Sequence, residues 1–217
     1  MKHNDAETPP VTPRLRLMMR LAVLAVAFKV LPPPAHAAQA TPPPVPFGIQ
    51  VAAGNHAFLE GAAIGTQDYI CLPSGAGFAW TFFGPQATLF NEHDEHDEHD
   101  KQIITHFLSP NPFENGTPRV TWQDSEDTSK VWGMTIASVV VEPGAIPWLL
   151  VEVVGAQDGP TGGDELLETT FIQRLNTAGG VAPSTGCALS KDVGTIALAP
   201  YTADYFFYKA IKRTSSR

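Results

Sequence analysis

The sequence predicts one all-β domain, a β-sandwich or flattened barrel of about ten short, mostly antiparallel strands. Apolar and polar side chains alternate with period two from Ile49 to Tyr208. Gly and Pro, 18 and 20 of 217 residues, fall between the alternating runs as turn punctuation. Only Asp164–Thr169 offers even a weak helical turn.

The strands follow in order. Gln67–Leu72 sets Tyr69 and Cys71 on one face and Ile70 and Leu72 on the other. Gly77–Phe83 groups Phe78, Trp80 and Phe82, and Gln86–Asn91 follows across Gly84-Pro85, read as a tight turn. Further strands are expected at Gln102–Leu108, Arg119–Trp122, Val131–Val141, Pro147–Val154, Thr169–Asn176, Gly194–Ala199 and Thr202–Lys209. Their Val, Ile, Thr and aromatic content suits a pleated, half-buried surface. Asn115-Gly116, Pro143-Gly144, Asp158-Gly159-Pro160 and Gly179-Gly180 mark turns between them.

The ends read differently. Arg14, Arg16 and Arg20 precede an apolar stretch from Leu21 to Leu31, then Pro32–Pro34 and Ala35-His36-Ala37. Basic, apolar, then A-x-A is the order of a secretory signal peptide, so residues 1–37 are expected to be removed, with cleavage as late as residue 40. Residues 38–46 form a Pro-rich extended lead-in, 47–210 the domain, and 211–217 a tail. The product is expected outside the cytoplasm, periplasmic or secreted. No apolar run reaches the roughly 18 residues of a membrane span.

Removal of residues 1–37 leaves 9 basic against 20 acidic residues, a net charge of about −11. A surface of that sign excludes nucleic acid as a natural partner, because phosphate binding needs a basic face. Cys71 and Cys187 both survive cleavage, and in an oxidising compartment an even pair most simply forms one disulfide.

A set of segments then stands out: Gly65-Thr-Gln-Asp-Tyr-Ile-Cys71, Phe78-Ala-Trp80, Gly84-Pro-Gln-Ala-Thr-Leu-Phe90, Ala145-Ile-Pro-Trp-Leu-Leu150, Phe171-Ile-Gln-Arg-Leu-Asn-Thr177, Gly186-Cys187 and Pro200-Tyr-Thr-Ala-Asp-Tyr-Phe-Phe-Tyr208. In this order they resemble the family known as domain of unknown function 3455, from about residue 47 to residue 209. The resemblance implies an exported protein and carries no activity with it. His93-Asp-Glu-His-Asp-Glu-His-Asp100 is an insertion where relatives have a short turn.

Candidate chemistry is sparse. His93, His96 and His99 recur every third residue among carboxylates, a donor set that suits Zn, Ni or Cu. A fixed site also needs supporting groups around its ligands, and a charged hairpin insertion offers none, so a solvated repeat expansion is the simpler expectation. His56 and Glu60 lack the companion histidines of a cupin metal site. Gly75-Ala-Gly77 leads into a strand where a dinucleotide site needs a helix. Nucleophile elbow, P-loop and paired zinc motifs are missing, so no catalytic residue and no cofactor is assigned.

Arg174 interrupts a strand of Thr, Phe, Ile and Leu, where an Arg is seldom buried unpaired. Asp204, in the equally apolar Tyr201–Tyr208 stretch, is its expected ion partner; a ligand is the alternative. His106 is read as structural or as a ligand contact. Trp80, Trp122, Trp132 and Trp148 are the material for an aromatic platform, with core packing the competing use. The ligand-binding candidates are Trp80, His106, Trp132, Trp148 and Arg174. The expected function is an extracytoplasmic module that binds a small molecule or carbohydrate. A secreted or envelope structural protein and a metal-dependent or hydrolytic enzyme are the alternatives, and oligomeric state is left open.

Overall fold

A computed structural model describes residues 40–91 and 101–212. The expected signal peptide, His93, His96, His99 and the end of the tail lie outside these residues. Eight strands, β1 (Asn55–Ser74), β2 (Gly77–Asn91), β3 (Lys101–Asn111), β4 (Thr117–Asp124), β5 (Lys130–Val139), β6 (Trp148–Gln157), β7 (Thr169–Gly179) and β8 (Ile196–Ala210), follow one another up and down. Each pairs antiparallel with the next, and β8 pairs back with β1 from Asn55↔Ala210 to Ile70↔Ile196, which closes a barrel. Eight strands leave an interior just wide enough to be filled by side chains or to hold one small ligand.

The difference from about ten expected strands has a local cause. Gly84-Pro85 is not a turn: it sits within β2, opposite Asp68 and Gln67, next to a bulge in which Phe83 is the extra residue of β2 facing the Asp68–Tyr69 step of β1. The β2–β3 ladder runs only over Ala87–Asn91, so Pro85 has no neighbour on that side to which it owes an N–H. Proline is tolerated at such an edge or bulge. Pro200 is likewise absorbed into β8, opposite Thr66, with its carbonyl accepting from Gly180 N at 2.8 Å.

Alternation sorts the side chains into two cores. Inside, Leu89, Ile104, Val131, Ile172 and Phe207 fill one end of the barrel, and Leu166 from the β6–β7 connection plugs it, fully buried. The plug is fastened by Leu166 N–H donating to Ser129 Oγ at 3.2 Å, and Asp127 Oδ2 accepts from Glu165 N at 2.9 Å. Outside, the Pro-rich lead-in lies across the barrel wall: Ile49, Leu150, Leu175, Phe206 and Tyr208 form a second cluster, with Val45 and Val51 packed on it. Gln173 Nε2 donates to Ile49 O at 2.6 Å, and the Tyr208 hydroxyl donates to Gln173 Oε1. Phe206, Phe207 and Tyr208 can therefore be consecutive and all buried, because β8 is covered on both faces.

Cys71 and Cys187 form the expected disulfide, with Cα atoms 5.5 Å apart across a sequence separation of 116. It binds the long connection between β7 and β8 to the end of β1. Cys71 N–H donates to Thr195 O at 2.9 Å, Gly194 N–H donates to Cys71 O at 2.9 Å, and Trp80 Nε1 donates to Thr185 O at 3.0 Å. No helix among the described residues is long and apolar enough to cross a membrane.

A crosslink closing a loop of that length restricts the unfolded chain by about 4–5 kcal/mol in the chain-entropy picture. The double variant Cys71→Ser/Cys187→Ser is expected to lose stability of that order, read from urea unfolding midpoints; an unchanged midpoint would contradict the assignment.

Candidate functional site

The packed core occupies only one end of the barrel. At the other end, where the β1–β2, β5–β6 and β7–β8 connections gather, the interior holds a cavity of about 250 Å³. Its walls are mostly apolar, from Phe82, Trp122, Ile146, Leu149 and Val151, and its polar groups come from Gln67, Tyr69, His106, Arg174 and Tyr205. Two elements shape the rim. Tyr69 donates its hydroxyl to Gly180 O at 2.8 Å, which fixes the start of the β7–β8 connection. Ile146 N–H donates to Gly179 O at 2.9 Å, and Thr177 Oγ1 donates to Ile146 O at 2.6 Å, which seats the β5–β6 connection against β7.

Arg174 is opposite Leu149 of β6 and Tyr205 of β8, and all three side chains line the cavity. It is 7% exposed. Its Nε and Nη2 donate to Pro147 O at 3.3 and 2.9 Å, and among the described residues no carboxylate forms an ion pair with it. The expected bridge to Asp204 does not form. Because Arg174 is directly opposite Tyr205, the neighbouring Asp204 must face the other side of the sheet, where its carboxylate accepts from Asn176 Nδ2 at 2.7 Å. A guanidinium has five donors, and one carbonyl engages only part of them.

His106 stacks on Trp122, ring centroids 4.3 Å apart and planes at 15°, and lies 5.3 Å from the ring of Tyr205. Its Nδ1 is 2.9 Å from Thr121 O. A carbonyl only accepts, so Nδ1 carries the proton. Burial pushes the imidazole down to about 3, the Thr121 carbonyl works against that shift, and the Arg174 charge adds to it. His106 is thus neutral near pH 7, with Nε2 an unprotonated lone pair. Burial also raises the Tyr205 and Tyr69 hydroxyls, and the Arg174 charge opposes that rise in both.

Two more groups point the same way as Arg174. Gln67 is 4% exposed and Trp122 is 1% exposed; both line the cavity, and Gln67 Nε2 and Trp122 Nε1 are buried with no hydrogen-bond partner among the described residues. A buried N–H left unpaired costs roughly 1–3 kcal/mol, so such groups call for an explanation.

Of the sequence-selected residues, the barrel brings together His106 and Arg174. The other three do other work. Trp80 anchors the disulfide-bonded connection, and Trp132 faces outward, its Nε1 donating to Ser109 Oγ at 2.9 Å with Phe113 edge-on at 6.0 Å. Trp148 packs in the outer cluster beneath the lead-in. Gln67 and Tyr205, which were not selected, complete the site together with Trp122, which was named for the aromatic platform but left out of the ligand-binding set. Inner-face parity is the signal that finds them, since Trp122 is opposite His106 and Tyr205 is opposite Arg174. No cluster of metal-ligating side chains occurs among the described residues. Asn91 and Lys101, which flank the His-Asp-Glu insertion, pair at the end of the barrel away from the cavity.

The family model described as protein of unknown function (DUF3455) matches residues 52–209, a span that takes in all eight strands of the barrel almost to its last residue. Neither a curated protein nor a solved structure matches the chain.

The depressed His106 pKa sets a pH dependence. The folded form stays neutral while an unfolded histidine protonates below about 6.5, so stability is full above that pH and is lost as pH falls toward 3. Between pH 7 and pH 5 this single group is expected to remove about 2 kcal/mol. Urea unfolding of wild type and His106→Phe at both pH values checks it: the wild type should lose that much more than the variant, and equal losses would refute the neutral imidazole.

Proposed function

This chain belongs to the DUF3455 family, whose description carries no activity, and from its cavity we propose that it is an exported binding protein for a small organic anion with an apolar body. Arg174 carries the reading. A cation taken out of water costs several kcal/mol unless a counter-charge offsets it, and here the barrel supplies none. A ligand carboxylate supplies it in the bidentate geometry that guanidinium favours. The two unpaired N–H groups of Gln67 and Trp122 ask for acceptors as well, so the unmet donors among the residues that line the cavity call for the same kind of ligand.

Size and walls narrow the class. An apolar cavity of about 150 Å³ takes benzene, so about 250 Å³ suits one ring with a few substituent atoms. The mostly apolar lining favours such a body over a sugar, whose hydroxyls would each need a partner. A cavity with unmet polar groups also argues against a purely structural envelope role. Export is supported by the disulfide and by the basic-apolar-Ala-His-Ala order of the first 37 residues.

Thermal shift with benzoate, phenylacetate, benzamide and glucose tests the reading. At 100 times Kd the acids should raise Tm by about 5–10 °C, while the neutral amide and the sugar leave it unmoved. Arg174→Met should melt no lower than the empty wild type, since it removes a buried charge, and should ignore the acids. If no acid shifts the wild type, or if the variant responds equally, the proposal falls.

A further inference from the structure

His106 offers a feature that anion binding alone leaves unused. Arg174, Gln67 and Trp122 present donors to the cavity, but the outstanding group of His106 is of opposite kind. With Nδ1–H committed to Thr121 O at 2.9 Å, Nε2 can only accept, and among the described residues nothing donates to it. The cavity thus presents a cation from β7, N–H donors of Gln67 from β1 and of Trp122 from β4, and one neutral imidazole acceptor from β3.

A ligand matching both needs an anionic group and, elsewhere on its frame, a hydrogen to donate. An ammonium donor would sit badly beside the Arg174 charge, so the donor has to be neutral, and a hydroxyl is the smallest group that fits. The frame between them meets aromatic faces: Trp122 stacked on His106, Phe82 at the rim and Tyr205 tilted against His106. Flat rings pack there at little conformational cost. We infer that the ligand is a hydroxyaryl carboxylate, held by its carboxylate on Arg174 and by its hydroxyl donating to His106 Nε2. This rests on the reading of the cavity as an anion site and adds to it the polarity of the second contact. It makes His106 the residue that separates hydroxylated acids from their parents. A neutral imidazole is required, and burial keeps it neutral near pH 7.

The test is isothermal titration of the full chain with benzoate, 3- and 4-hydroxybenzoate and 4-methoxybenzoate, on wild type and His106→Phe. One hydroxylated isomer should bind wild type at least about ten-fold tighter than benzoate, and the methoxy acid, which cannot donate, should show no such gain. His106→Phe keeps a flat ring against Trp122 and should bind the parent and the hydroxylated acids alike, losing the preference. Independently of any variant, the ¹⁵N resonance of His106 Nε2 in wild type should shift on adding the hydroxylated acid and stay put with benzoate. Equal affinity for parent and hydroxylated acids, a preference that survives His106→Phe, or an unmoved Nε2 resonance would each overturn the inference and leave the anion site standing. Failure of every acid to bind would overturn both.

Discussion

The ladder between β1 and β8 is the contact on which the rest of the molecule depends. It runs along nearly the whole of both strands and turns a meander with two raw edges into a closed surface with an inside and an outside. Once the sheet closes, every residue is committed to one of those two sides by its parity, and a polar side chain with inward parity has nowhere else to go. Arg174 is inside because its strand neighbours Ile172 and Tyr205 are inside. Closure also explains why β1 tolerates so much glycine and alanine. A Cβ at Gly65 would stand 2.1 Å from Gln86 O, and one at Gly61 would meet Leu89 at 3.0 Å, so the strand passes its neighbours too closely for larger residues.

What fills the inside differs between the two ends, and the connections decide it. At the closed end the β4–β5 and β6–β7 connections are tied by carboxylate–backbone bonds through Asp124 and Asp127, and Leu166 is driven between the strands. At the other end the β7–β8 and β5–β6 connections are fastened to the rim, not pushed into the lumen: one by the disulfide and Trp80, the other by Thr177 and the Gly179 carbonyl. The rim is held open by the same bonds that hold it in shape. A cavity bounded this way is preformed, which lowers the ordering cost that a ligand would otherwise meet.

Much of this was legible as pattern. Period-two alternation identified the strands, and the turn residues placed most of their ends; Asn115 and Gly116, both at positive φ, close the β3–β4 turn as their types suggest. The disulfide followed from two cysteines in a chain expected to be exported. What was not legible was pairing. Gly84-Pro85 reads as a turn until the absent β3 neighbour shows why a proline does no harm there. Arg174 and Asp204 look like partners because both interrupt apolar strands, and only the register, which sets Arg174 opposite Tyr205, puts them on opposite faces. The tryptophans suffer from the same ambiguity. Trp122 and Trp132 are on adjacent strands with similar neighbours, yet Trp122 is opposite Val131 and inside, while Trp132 is opposite Thr121 and outside. The outer lead-in deepens the confusion, because it buries Phe206 as thoroughly as a core would and half-covers Trp148.

The groups that make the cavity chemically distinctive are all unfavourable for the empty barrel. Arg174 is buried without a counter-ion, Gln67 and Trp122 hold N–H groups with no acceptor, and His106 gives up its protonated state to stay inside. Aliphatic residues at these positions would complete the packed core that already fills the other end. Strand register alone does not demand polar side chains here, since Ile172 and Phe207 occupy equivalent inward positions on the same strands as Arg174 and Tyr205. Within the cavity the unmet polarity converges on one space; His56 Nδ1 and Thr169 Oγ1, also buried without a partner among the described residues, lie at the other end. A barrel whose only task was to be stable would gain by losing the cavity's unmet polarity, which is the physical ground on which the proposed ligand rests.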